Sequence, residues 1–141
     1  MHTFLTRRCK IWLQWTMPID RTIPLDPGDI YWVKLPHRPG SEQSGSRPCI
    51  VMSRRSVNVQ NTVVIVPLTT NTDRANAYNI LIPQAEIIKD VTCPSQIQTS
   101  VARCEHVRVV DRQYFEAKIG KLSQNAVLGV QLGLAYIFDI R

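Results

Sequence analysis

The chain has 141 residues, 44% of them hydrophobic and 20% charged, and this balance suits one soluble globular domain able to bury roughly two thirds of its unfolded surface. No apolar run is long enough to span a bilayer, and the net charge of +6 favours a polyanionic partner without specifying one. Cys9, Cys49, Cys93 and Cys104 have no C-x-x-C spacing and no secretory context, which argues against zinc and a disulfide framework and for reduced, small hydrophobes.

In chain order, residues 1–26 read as an extension to a domain that spans 27–141. Arg7, Arg8, Lys10 and Arg21 against Asp20 place half of the net charge before Thr22. The apolar cluster Ile11, Trp12, Leu13, Trp15 and Met17 is interrupted by Gln14 and lacks a small-residue cleavage site, so a secretory signal is a poor match. The arm is expected to pack on the domain or stay disordered, with a membrane-surface segment as the other reading, and Met17 offers a downstream start.

Pro24, Pro27 and Gly28 precede the first predicted strand, Asp29–Leu35, which is rich in β-branched and aromatic residues. The stretch GSEQSGSRPCIVMS, residues 40–53, then passes from a small polar loop to an apolar strand at Cys49–Ser53. Pro48 biases Arg47 toward an extended conformation at the strand's root, where its five-donor fork either holds a phosphate or pairs with Glu42. Asn58–Thr62 is a polar turn. Val63–Thr69 is a continuously apolar third strand in which Pro67 implies an edge or a bulge. Asn71–Asn76 is another turn, Tyr78–Ile82 a fourth strand, and Thr99–Val110 holds two short alternating runs around Cys104 and Val107. Ser123 opens a C-terminal helix whose broad apolar surface is either all core or partly a homodimer contact, and Gly129 and Gly133 mark either close approach of another backbone or helix or simple tolerance. Short strands with turns between them, closed by a helix, give a mainly β class: a small coiled antiparallel sheet or barrel.

No P-loop, Rossmann glycine pattern, G-x-S-x-G elbow or H-E-x-x-H is present, and no His, Cys and carboxylate group has metal-ligand spacing, so metal-free and cofactor-free chemistry is expected. What stands out is Arg103-Cys104-Glu105-His106 with Arg108 behind it. On a strand, Arg103 and Glu105 would share one face, and Cys104 and His106 the other. A surface salt bridge, contributing at most about 1 kcal/mol, is the plainer account of the first pair.

Together these stretches resemble the MazF/PemK/Kid family of ribonuclease toxins from bacterial toxin–antitoxin modules. The resemblance runs from Gly28 to about Leu134 through GDIYWVKL, GSEQSGSRPCIVMS, VVIVPLTT, TSVARCEHVRVVDRQ and KIGKLSQNAV. It implies an SH3-like small β-barrel of the CcdB/MazF/PemK kind with a C-terminal helix, and a cytoplasmic homodimer that cleaves single-stranded RNA, such as mRNA, without metal. It also implies an acidic antitoxin as partner. By their positions in the motifs, Arg47, Thr69, Arg103 and Glu105 would be catalytic, and Ser41, Glu42, Gln43, Ser46, Thr70, His106 and Arg108 would contact RNA. The family more often has Asp-Gln where this chain has Glu105-His106. The alternatives are a non-catalytic gyrase poison of the CcdB kind, or a degenerate module that only binds RNA or antitoxin.

RNA carries its own nucleophile, so cleavage needs three things: removal of the 2′-hydroxyl proton, stabilisation of the phosphorane charge, and protonation of the leaving 5′-oxygen. Glu105 is the candidate base, Arg47 the charge stabiliser, and Arg103 the group that neutralises the leaving oxygen. The Thr69 hydroxyl can hold a phosphate or ribose oxygen. An imidazole has the better ordinary pKa for proton transfer, but a regular strand would turn His106 away, and only a bulge or turn would bring it in.

Overall fold

The computed structural model describes residues 23–36, 39–40, 45–93 and 97–141. The arm before Ile23, with Cys9, and the loop residues Ser41, Glu42 and Gln43 lie outside the described residues.

Alternation builds the first hairpin. In β1, Asp29–Leu35, the side chains of Tyr31, Val33 and Leu35 enter one core while Ile30 enters another. β2, Gly45–Val51, pairs with it antiparallel, setting Val33 opposite Arg47 and Ile30 opposite Ile50. The strand therefore begins before the apolar run that first suggested it, because backbone pairing to β1 continues through polar Ser46 and Arg47. Arg47 lies inside the strand, not at its root.

A single helical turn, α1 (Arg55–Asn58), leads into β3, Thr62–Thr69. Asn58, expected in a polar turn, is buried. Its Nδ2 donates to the carbonyls of Leu25 (2.7 Å) and Ser53 (2.8 Å), and its Oδ1 accepts from the Ser53 hydroxyl. Asn58→Ala would leave these buried groups unsatisfied. A stability loss of about 3 kcal/mol is expected in urea unfolding, and a loss below about 1 kcal/mol would contradict the assignment.

The later strands are β4 (Ile80–Ile82), β5 (Ile87–Lys89), β6 (Ser100–Ala102), β7 (Arg108–Asp111) and β8 (Phe115–Leu122). The sheet runs β4-β6-β3-β2-β1-β8-β5, with β7 also on β3, and every strand pairing among the described residues is antiparallel. The result is a nearly closed β-barrel. Its interior holds Tyr31, Val33, Cys49, Val51, Val63, Ile65, Val110 and Phe115. The opposite face carries Ile30, Ile50, Val66, Leu68 and Ile119 and is covered by α2, Gln124–Ile137, through Ala126 and Val130. The Ser123 hydroxyl caps α2 by accepting the Ala126 N–H at 3.1 Å, as the sequence predicts. No helix among the described residues is long and apolar enough to cross a membrane.

Pro67 sits neither on an edge strand nor in a bulge of its own. β3 pairs with β7 over Thr62–Ile65 and with β6 over Leu68–Thr69, so on this side residues 103–107 face only Val66 and Pro67. The Pro67 carbonyl accepts the Arg103 N–H at 2.9 Å. In an antiparallel ladder the same pair would exchange a second bond, from the N–H of residue 67 to the carbonyl of residue 103, and proline has no N–H to give. The Arg103 carbonyl instead accepts the His106 N–H at 2.9 Å, which closes a 3-10 turn over Cys104–His106. The predicted strand around Cys104 and Val107 is thus a turn between two short strands.

Candidate active site

The site is assembled where β2, β3 and the exit of β6 lie side by side. Cys49 is opposite Pro67, which in turn holds the Arg103 backbone. Two positions along from these residues, and therefore on the same sheet face, are Arg47 in β2 and Thr69 in β3. Thr69 is opposite Val101, and its Oγ1 accepts the Asn71 N–H at 3.3 Å. Arg108 is opposite Ile65, two positions the other way. Burial pushes the Cys49 thiol pKa up, and the Arg108 and Arg47 guanidinium groups both act against that shift.

The 3-10 turn adds a carboxylate and an imidazole. Arg103 donates to Glu105 Oε1 through Nη2 at 2.7 Å and Nε at 3.1 Å. His106 Nε2 is 3.0 Å from Arg103 Nη2 and 3.9 Å from Glu105 Oε1. Sequence reasoning put Cys104 and His106 on one strand face and Arg103 and Glu105 on the other, and the turn overturns this. His106 joins Arg103 and Glu105, while the Cys104 thiol goes into the core. A guanidinium can only donate, so His106 Nε2 faces it as an acceptor and the ring proton belongs on Nδ1.

Arg103 and His106 side chains are only 11% and 12% exposed, against 36% for Glu105, so this is not the freely solvated pair of the plainer account. Sequence reasoning missed the residue that completes the cluster. Asn79, 1% exposed, donates from Nδ2 to Glu105 Oε1 at 2.9 Å, and its Oδ1 accepts the Glu105 N–H at 3.4 Å. Asn79 stood inside a predicted strand, and nothing in the spacing linked it to Glu105. The Asn79 bond first, and the Arg103 bond next, hold the Glu105 carboxyl below the usual carboxylate range.

The other predicted contacts are less gathered. The Ser46 hydroxyl donates to Glu116 Oε1 at 3.3 Å, and Thr70 is exposed at the end of β3. Among the described residues no group of three His, Cys, Asp or Glu is placed to hold a metal ion.

Comparison with known proteins follows the same line. Residues 26–138 match the family described as PemK-like, MazF-like toxin of type II toxin–antitoxin system. A crystal structure of MazF from Deinococcus radiodurans superposes with a TM-score of 0.68 at 19% identity, covering 84% of this chain and 99% of that one. An endoribonuclease in complex with its cognate antitoxin from a mycobacterial species superposes at 0.64 and 18%, covering 84% and 98%. The Mycobacterium tuberculosis toxin MazF-mt6 does so at 0.61 and 18%, covering 80% and 98%. No curated protein sequence matches the chain. The matched segment takes in the barrel, the R-P and P-L-T-T strands and the helix, and on that match the chain belongs to the PemK-like, MazF-like toxin family of type II toxin–antitoxin systems.

Proposed function

We propose that the protein is a metal-independent endoribonuclease toxin that cleaves single-stranded RNA, such as mRNA, at selected sequences. The observation that carries this reading is the gathering of Arg47, Thr69, Arg103 and a partly exposed Glu105 around one end of β3 in a chain of this family. All three side-chain bonds to Glu105 fall on Oε1, which leaves Oε2 to take the 2′-hydroxyl proton. The 2′-oxygen then bonds to phosphorus and the bond from phosphorus to the 5′-oxygen breaks, giving a 2′,3′-cyclic phosphate. Arg47 offsets the charge on the phosphorane, Thr69 holds a phosphate or ribose oxygen, and Arg103 neutralises the leaving oxygen while solvent protonates it. His106, Arg108, Ser46 and Thr70, with the loop residues Ser41, Glu42 and Gln43, contact the strand on either side.

The same reading assigns the exposed stripe Leu128, Leu132 and Tyr136 on α2 to a second copy of the chain, in a cytoplasmic homodimer. An acidic antitoxin segment laid over the arginine face would displace RNA, and the similar mycobacterial endoribonuclease was captured with its antitoxin.

Incubation of the purified protein with a long RNA in EDTA tests the reading. Discrete cuts ending in cyclic phosphate are the expected result. Intact RNA with inhibited DNA gyrase would replace the reading with a CcdB-like poison, and RNA binding without cuts would replace it with a degenerate module.

A further inference from the structure

We infer that Asn79 is a positioning residue of the RNA-cleaving site, a two-point clamp that fixes both the backbone and the carboxylate of Glu105. This rests on the ribonuclease reading above. The clamp is the pair of bonds from one buried carboxamide to the Glu105 N–H and to Oε1. Of a carboxamide's four hydrogen-bonding positions, one donor and one acceptor are thereby committed to a single residue 26 positions away in the chain.

The rest of Asn79 is held independently of that carboxamide. Its own N–H donates to Asn76 Oδ1 at 2.8 Å, and its carbonyl accepts the Asn76 N–H at 2.9 Å, so the turn that presents it survives a change of side chain. A carboxylate anchored only by Arg103 would ride on a long, rotamer-rich side chain. Asn79 adds a short, buried anchor, and it aligns the same Oε1 without touching Oε2.

Helix α2 backs the clamp from behind. A Cβ on Gly133 would stand 2.7 Å from the Tyr78 carbonyl oxygen and 2.9 Å from Cys104 Sγ, so the helix backbone rests on the immediate neighbours of both Asn79 and Glu105. Tyr136 stacks on Tyr78, with ring centroids 5.8 Å apart and planes 18° from parallel. The sequence flagged Gly133 as a place of close approach, and what approaches it is the two segments that meet in the clamp.

On its own turn Glu105 meets the Arg103 guanidinium and the His106 imidazole. Gln124–Ile137 of α2 has no Asp, Glu, Lys, Arg or His and brings only the Tyr136 phenol, and the segment that leads to Asn79 carries the Tyr78 phenol beside it and, earlier, Asp73 and Arg74 in an exposed 3-10 turn, whereas the charge effects on Glu105 come from Arg103 and His106. Loss of the Asn79 donor therefore acts on Glu105 without another charge stepping in.

Asn79→Ala is the test, read in three ways: single-turnover cleavage of one RNA as a function of pH, kcat and KM separately, and carbon NMR titration of the Glu105 carboxyl. The expected result is a fall in kcat of at least about tenfold with KM little changed, within the roughly hundredfold that misplacement of a reacting group costs. The Glu105 titration and the acid limb of the rate profile should both move up toward the ordinary glutamate range near about 4.3. Should Asn79→Ala fail to fold, Asn79→Asp keeps the shape and the acceptor but sets a second carboxylate against Oε1, and the same upward movement is expected from it. Gly133→Ala, which gains helix propensity of about 1 kcal/mol but sets a Cβ against the Tyr78 carbonyl and Cys104 Sγ, should displace both segments of the clamp and lower kcat in the same way. A folded Asn79 variant with wild-type kcat and an unmoved Glu105 titration overturns the clamp. Wild-type protein that cuts no RNA overturns the ribonuclease reading beneath it, even if the titration moves.

Discussion

Arg47→Ala is expected to lower the RNA cleavage rate by about a hundredfold or more, as removal of one preorganised donor from an oxyanion site does. The residue lies within β2 with its side chain half-buried on the face shared with Thr69, and its backbone stays in the ladder with Val33. Alanine leaves that ladder intact, and the circular-dichroism melt of the variant should stay close to wild type. Arg47→Lys keeps the charge but gives up the planar fork, and its rate should fall between the two. A folded Arg47→Ala protein that cleaves at near-normal speed would remove Arg47 from the reaction.

The second large effect concerns the proton acceptor. Glu105→Gln is expected to cost at least about a hundredfold, whereas His106→Gln, which installs the residue the family more often carries, should have a small effect. Gln keeps an oxygen for Asn79 and Arg103 and removes only the basic site. His106 is near enough to compete for the role, but its Nε2 already faces Arg103 as an acceptor. The pH profile separates the two. The Glu105 carboxyl is held below its ordinary range by Asn79 and then Arg103, so it stays ionised through neutrality, and the rate should be flat there and fall only in acid, below about pH 4.3. An imidazole base would instead put the limb near about pH 6.5. Stability follows the same sign. A carboxyl whose folded pKa is depressed stabilises the fold above the unfolded value, and that contribution is lost as pH falls through the lower folded one, so Glu105→Gln should lose this part of the acid sensitivity. A larger loss from His106→Gln on the same RNA, at saturating substrate, would transfer the base to the imidazole.

Several elements were legible because their signals are local. β1, β3 and the Ser123-capped helix follow from alternation, β-branched content and a cap, and the structure places them within a residue or two of the sequence reading. β8 was not legible although it is among the longest strands. Its register against β1 shifts twice, between Ile30 and Tyr31 and again between Tyr31 and Val33, so Phe115 enters the barrel while Ile119 goes to the helix-covered face. Irregularities of this kind break the two-residue period on which strand reading depends. At the site, Arg103 and Glu105 were visible as neighbours, but the reading gave them the wrong local geometry. Proximity of His106 depends on a missing donor at Pro67, and proximity of Asn79 depends on packing beneath a helix glycine. Both causes are tertiary.

The proline in β3 also bears on how this site can vary. Because residue 67 cannot donate, the chain after Ala102 has no complete ladder to follow, and the three-residue turn begins at that point. The barrel thus carries there a socket whose backbone closes through main-chain bonds, from the His106 N–H to the Arg103 carbonyl and from the Val107 N–H to the Cys104 carbonyl. Exchange of Cys104-Glu105-His106 for another tripeptide should be tolerated by the fold, though not by cleavage, as long as a small apolar side chain still enters the core at its first position. A donor-bearing residue in place of Pro67 could complete the ladder to residue 103 and would then compete with the turn for the Arg103 carbonyl, so a change at Pro67 should call for a compensating change in the connection, whereas a change in the connection alone should not.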